Sequence, residues 1–249
     1  MKRLIGLVFA VVMLFTFTAC TSDVPKNVKD AMNQPDSQNT SKSSSTDNKV
    51  LYVQSRENAG DSIAIKRLKE THGLEVTVIT DKELTIEKAQ EGFALIFVGE
   101  SVNSGKIRNI FVKLPVPVIY AEPQSLGDTG MTLTEAFGKL DAGNVAKTIT
   151  IKDSKHPLAA GLQNDVDVYK EKGKMGYGEP GAEAIVVATV PNTDNQATIF
   201  AYDKGVKNAK GDPVVAREVY FYLFNGEEIN QTENGWKLFD ASVRWAMGK

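Results

Sequence analysis

Cysteine is nearly absent: Cys20 is the only one in 249 residues, which excludes an internal disulfide and a thiolate zinc cluster. His72 and His156 are the only histidines, leaving little material for a histidine metal centre. Positive charge is not in excess either, with 29 basic residues against 31 acidic and a net charge of −2. Such a chain lacks the cations that neutralise phosphates, so nucleic acid is not an expected partner. Beyond residue 20 no uncharged apolar run reaches bilayer-spanning length. Gly99 to Gly105 superficially suggests an anion nest, but no Walker or GxGxxG spacing accompanies it, so no bound nucleotide is expected; no other cofactor and no metal is assigned. What is present is an ordinary globular composition, 42% hydrophobic and 24% charged.

The first residues read as an address. Lys2 and Arg3 precede an apolar run from Leu4 to Phe17 that only Gly6 and Thr16 interrupt. A positive start and a run too short to span a bilayer mark an export signal. Its end, Phe17-Thr18-Ala19-Cys20, resembles a bacterial lipobox, with Phe17 standing where leucine is usual. The resemblance implies cleavage before Cys20 and lipidation of that cysteine, with residues 1–19 as the signal peptide. Loss of Lys2 and Arg3 leaves a mature charge of about −4. Two acyl chains, at about 0.8 kcal/mol per buried methylene, anchor far more firmly than one. The expected address is the outer face of the cell membrane, or the outer membrane if the source has one. The partner there is the lipid bilayer, held through Cys20.

Residues 20–48 form the lipidated cysteine and a tether. From Thr21 to Asn48 nine of 28 residues are Ser or Thr, and the larger apolar side chains are only Val24, Val28 and Met32. A segment this polar cannot bury enough surface to offset its chain entropy, so it is expected to be disordered.

The folded domain is expected over residues 49–249. Lys49 to Gln54, Glu75 to Thr80, Phe93 to Val98 and Val116 to Ala121 read as strands, the last two being solid apolar runs. Between them lie a helix that Asp61 or Ser62 would cap and Gly73 would end, a short helix at Ile86 to Gln90, and a segment from Ser104 to Val112. Apolar strands alternating with helices predict an α/β fold with a flavodoxin-like, doubly wound, mostly parallel sheet. Later, Asn144 to Lys152 reads as a strand of mixed polarity. Glu183 to Val190 and Gln196 to Tyr202 predict an added β-hairpin, Glu218 to Phe224 a strand returning to the sheet, and Trp236, Phe239, Val243 and Ala246 the buried stripe of a closing helix.

His156-Pro157-Leu158-Ala159-Ala160-Gly161-Leu162, followed by Gly235-Trp236-Lys237-Leu238-Phe239-Asp240-Ala241-Ser242-Val243-Arg244-Trp245-Ala246, resembles the ThuA-like branch of the class I glutamine amidotransferase-like superfamily. The resemblance covers the whole folded domain and implies a flavodoxin-like sheet and an association with sugar utilisation. The catalytic amidotransferases of that superfamily carry a cysteine nucleophile on the sharp turn after the fourth strand, with a distal histidine and glutamate. Here that strand runs into Ala121-Glu122-Pro123, and Phe221-Tyr222-Leu223-Phe224-Asn225 holds no histidine. Glutamine hydrolysis needs a nucleophile beside a base, so glutaminase activity is not expected and no catalytic residue is assigned.

In a doubly wound sheet the ligand crevice lies beyond the carboxyl ends of the strands. The loops predicted there supply Asn58, Asp61, Glu100, Ser101, Asn103, Ser104, Glu122 and Asp128 as candidate ligand-binding residues. Of these, Glu100, Glu122 and Asp128 could converge as carboxylates suited to sugar hydroxyls, a cation or general acid–base work, and the set as a whole to a small polar ligand or glycan. The plainer account makes Asp61 and Ser104 helix caps and the carboxylates solvated loop charges. His156 has two readings, a base folded over the crevice or a structural His-Pro elbow, and His72 reads as a cation at a helix C-terminus. Two functions follow: a surface module that binds a small polar ligand, glycan or envelope partner, and, as the alternative, a carbohydrate-active or related enzyme using carboxylates and perhaps His156.

Overall fold

A computed structural model describes residues 46–249. The leader, Cys20 and the tether as far as residue 45 lie outside the described residues. Thr46–Asn48 form a 3₁₀ turn directly ahead of the first strand.

The elements that follow are β1 (Lys49–Gln54), α1 (Ala59–His72), β2 (Glu75–Thr80), α2 (Ile86–Ala89), β3 (Leu95–Val98), α3 (Ser104–Ile107), β4 (Val118–Tyr120), α4 (Leu126–Thr129), β5 (Thr132–Leu140), β6 (Thr148–Ile151), β7 (Asn164–Asp167), β8 (Met175–Pro180), β9 (Ile185–Thr189), β10 (Ala197–Tyr202), β11 (Glu218–Phe221) and α5 (Glu233–Ala246). Strands β2, β1, β3, β4 and β11 lie side by side and all pair in parallel. This is the flavodoxin strand order, with β11 in the fifth place. Successive residues of each buried strand serve opposite faces. Val50, Tyr52, Leu95, Phe97, Ile119, Val219 and Phe221 pack with Leu68 of α1 and Phe239 of α5. Leu51, Val53, Ile96, Val98, Val118 and Tyr220 pack on the other face with Ala89, Ile107 and Leu126 from α2, α3 and α4. Burial on both faces is why these strands read as continuous apolar runs.

Beyond β11 the sheet turns antiparallel through β10, β9, β6 and β7, and β8 also pairs with β10. The expected hairpin is β9–β10, but it is one piece of a larger extension. Strands β5 and β8 pair antiparallel as an arm that packs on the Pro123–Ser125 turn and α4. Alternation did not reveal this arm, because β8 reads Met-Gly-Tyr-Gly-Glu-Pro and glycine and proline are poor strand formers.

Two expected caps are corrected. The α1 cap is Asn58, whose side chain accepts from the Asp61 N–H, so Asp61 lies inside the first turn. The α3 cap is Asn103, accepting from Gly105 N–H, rather than Ser104. Helix α3 also stops at Ile107, because Arg108 takes φ 41° and leaves the helical path, so the expected Ser104 to Val112 segment is shorter. His72 does close α1, and its Nε2 lies 3.0 Å from Asp240 of α5.

Candidate functional site

The carboxyl ends of the parallel strands form a crest with three separate polar groups. The first surrounds Asp61. Its Oδ1 accepts from Tyr52 Oη at 2.7 Å, and its Oδ2 accepts from Ser101 Oγ at 2.7 Å and from the Asn58 amide. Ser101 Oγ in turn accepts from Ser55 N–H at 3.2 Å. Asp61 is 1% exposed, so this network ties the loops after β1 and β3 together, as expected of a saturated buried carboxylate. Gly99 makes room for it: a Cβ there would stand 2.6 Å from Asp61 Oδ1 and 3.3 Å from Val53 O. Gly99→Ala is therefore expected to cost about 2 kcal/mol through overpacking, read as a lower urea midpoint with an unchanged slope.

The second group is the pair Glu100 and Glu122, joined by Glu228, which sequence reasoning missed. Glu100 Oε2 accepts from Asn225 N–H at 3.1 Å, across from the loop after β11. Glu122 Oε1 accepts from Gln124 N–H at 2.7 Å. Glu228 accepts from Gly226 N–H at 2.7 Å and seats against Gly60, where a Cβ would lie 2.3 Å from its Oε2. Glu122 is 5% and Glu228 4% exposed. Burial pushes the Glu100 carboxyl up to about 8, the nearby Glu122 charge adds to this, and Asn225 N–H and Lys139 oppose it. Burial likewise raises Glu122 to about 7 against Gln124 N–H and Lys139, and Glu228 to about 7 with help from Asp61. Tyr220 completes the group: its hydroxyl is buried with no hydrogen-bond partner, and Glu122 and Glu100 are the charges that act on it. Lys139 and Lys174 each stand 5.5 Å from the Phe224 ring centre at the same end of the sheet. The signal for Glu228 lay in the polar turn Asn225-Gly226-Glu227-Glu228 that follows β11, the fifth parallel strand.

The third group is Asp128, which lies apart with Gly105, Arg108, Asn109 and Lys210 around one cavity. Asn103 is occupied as a cap, and its N–H donates to Asp81 Oδ2 at 2.7 Å. Ser104 opens α3 beside it. The single edge expected from the sequence thus resolves into a sealed network, a carboxyl group of three and a flanking cavity. Among the described residues no set of three or more His, Cys, Asp or Glu side chains is placed to hold a metal ion.

His156 takes the elbow reading. Its Nδ1 accepts from Leu158 N–H at 3.2 Å, and its ring lies 5.6 Å from that of Trp245. Arg217, which also stacks on Trp245, precedes β11, whereas Asn225 beside Glu100 follows it. His156 and Glu100 therefore occupy opposite ends of the sheet. Burial, and secondarily the Arg217 charge, hold the imidazole below its usual value against Asp153 and Asp203.

The turn after β4 lacks the strain of a nucleophile elbow. Glu122 has φ −82° and ψ 106°, ordinary extended backbone, where an elbow nucleophile sits on a sharp, strained turn. The β5–β8 arm also runs over it. A Cβ on Gly176 of β8 would meet Tyr220 Oη at 2.1 Å and Pro123 Cγ at 3.2 Å.

Compared with protein-family models and with curated proteins, the chain matches none. Solved structures do match it. A protein assigned as a component of GMP synthase, from Thermoplasma acidophilum, aligns with TM-score 0.55 and 10% identity, covering 80% of this chain and 94% of its own. A ThuA-like protein from Bacteroides uniformis aligns with TM-score 0.53 and 13% identity, covering 80% and 90%. The fold is the one these two structures share. At such identities these neighbours establish the fold alone, and function rests on the residues of the crest.

Proposed function

We propose that this chain is an exported, lipid-anchored bacterial protein whose amidotransferase-like domain binds a small polar ligand, with a glycan the first class to test, and performs no glutaminase chemistry. The observation that carries the reading is the position after β4. It holds Glu122 on relaxed backbone beneath the β5–β8 arm, where glutamine hydrolysis of the superfamily's kind would need a cysteine nucleophile. What remains at the crest is Glu100, Glu122 and the unpartnered Tyr220 hydroxyl, with Lys139 acting on both carboxyls. Carboxyls with affinities near neutrality both donate and accept hydrogen bonds at physiological pH, which suits hydroxyl groups. Sugar hydroxyls present that pattern, and the ThuA-like resemblance points to the same class. The envelope address rests on the Lys2-Arg3 leader and on Cys20.

Two measurements test this. A thermal-shift screen of sugars, amino acids and divalent cations is expected to return a hydroxylated ligand that raises Tm with its concentration, as binding to the native state alone requires. Membrane fractionation of Cys20→Ala is expected to release the protein and abolish acyl labelling. A variant that stays bound and labelled would overturn the anchor.

A further inference from the structure

The flanking cavity has chemistry the crest does not. It is an open surface depression of about 620 Å³ whose lining residues, Gly105, Arg108, Asn109, Asp128 and Lys210, are all exposed. Arg108 and Lys210 come from separate parts of the chain, and among the described residues neither has a carboxylate within ion-pair reach.

Both cations are exposed, and the side chain of each makes one hydrogen bond to a main-chain oxygen. Arg108 sits at φ 41° and ψ −127°, and its Nε donates to Gly105 O at 2.9 Å. That leaves the two terminal nitrogens of the guanidinium without an ion pair. Lys210 lies in the loop between β10 and β11, where buried Asn208 accepts through Oδ1 from the N–H groups of Lys210 and Asp212, both at 3.0 Å. Lys210 Nζ donates to the main-chain oxygen of Asp128 at 3.2 Å, and not to its carboxylate. Two like charges are thus brought to one cavity from two anchored loops with no counter-charge supplied by an ion pair.

We propose that this cavity binds a small hydroxylated oxyanion, a carboxylate or phosphate group carried on a polyol or sugar. The planar guanidinium fork matches either oxyanion, Lys210 supplies a second charge, and the Asn109 amide is a neutral donor. Asp128 on the same wall repels a bare polyanion and accepts from a hydroxyl, so the ligand must carry both groups. The inference stands apart from the crest reading, because none of Glu100, Glu122 and Tyr220 lines this cavity.

Titration calorimetry of the full-length protein with glucuronate, glucose 6-phosphate and glucose tests it. Glucuronate or glucose 6-phosphate shows a binding phase that glucose lacks; the anion with the tighter phase identifies carboxylate or phosphate as the group held. Arg108→Gly, which the backbone at that position accommodates, and Lys210→Gln each weaken binding at least about tenfold, a loss ordinary for one charge-assisted contact. Lys66→Gln, a surface cation remote from the cavity, leaves it unchanged. Full affinity for both anions in Arg108→Gly and Lys210→Gln would overturn the proposal, whatever glucose binding the crest shows. Loss of anion binding in Glu122→Gln instead would transfer the ligand to the crest and also overturn it.

Discussion

Replacing Asp240 with alanine is expected to destabilise the domain by about 3 kcal/mol, near the lower end for removing one partner of a largely buried ion pair. Asp240 of α5 accepts from Arg67 Nε at 2.7 Å and Nη2 at 2.6 Å, and lies 3.0 Å from His72 Nε2. Both partners belong to α1, so this carboxylate joins the two helices that cover one face of the parallel sheet. Without it, a guanidinium and an imidazole are left together at a site where Asp240 is only 11% exposed. Arg67 also stacks 4.9 Å from the Trp236 ring centre, so the loss reaches the packing of α5. Burial opposes the Asp240 charge, but the hydrogen bonds from His72 and Arg67 outweigh it and hold the carboxyl below its usual value. A depressed carboxylate stabilises above its unfolded pKa and loses that contribution as pH falls through its folded one. Urea unfolding should accordingly show the wild-type advantage at pH 6 shrinking below about pH 4.

The second large effect runs the other way with pH. Glu100 and Glu218 stand at about 8 and Glu122 and Glu228 at about 7, with burial the main cause in each. An unfolded glutamate titrates near 4.3. Between these values the native state holds protons that the unfolded chain has released, so stability falls as pH rises. The stabilisation of the neutral forms is complete below about pH 4 and gone above about pH 8. Each group changes stability by up to about 1.4 kcal/mol per pH unit, and Glu100 and Glu122 release their protons as a pair. The combined loss from pH 5 to pH 8 is expected to reach several kcal/mol, seen as a Tm highest near pH 5. Glu218→Gln isolates one member, since burial alone raises Glu218. Its Tm should match wild type at pH 5 and exceed it at pH 8; a parallel drop at both would refute the assignment.

The parallel core was legible because strands buried on both faces leave no polar positions. Leu95 to Val98 is buried throughout, and Trp236, Phe239, Val243 and Ala246 carried the helical period of α5. The arm was not legible because its residues answer to tertiary contacts rather than to strand propensity. Gly176 and Gly178 are needed where β8 meets Tyr220 and Phe200, and Glu135 of β5 takes φ 60°. The site was half legible. Asn58, Asp61, Ser101, Glu100 and Glu122 do come to the crest because loops after parallel strands must meet there. Their division into a saturated network and a carboxyl group depends on burial by the arm and on Glu228, neither of which has a sequence period.

Whether the crest is a binding site is tested most directly by titrating the hydroxylated ligand from the thermal-shift screen against wild type, Glu100→Gln and Glu122→Gln at pH 7. Glutamine keeps the shape and one acceptor of each carboxyl but cannot release a proton. At least a tenfold loss of affinity in one of the two variants, with Tm at pH 5 unchanged, is the result this account predicts. Full affinity in both, or ligand contacts that map to the β9–β10 hairpin, would contradict it.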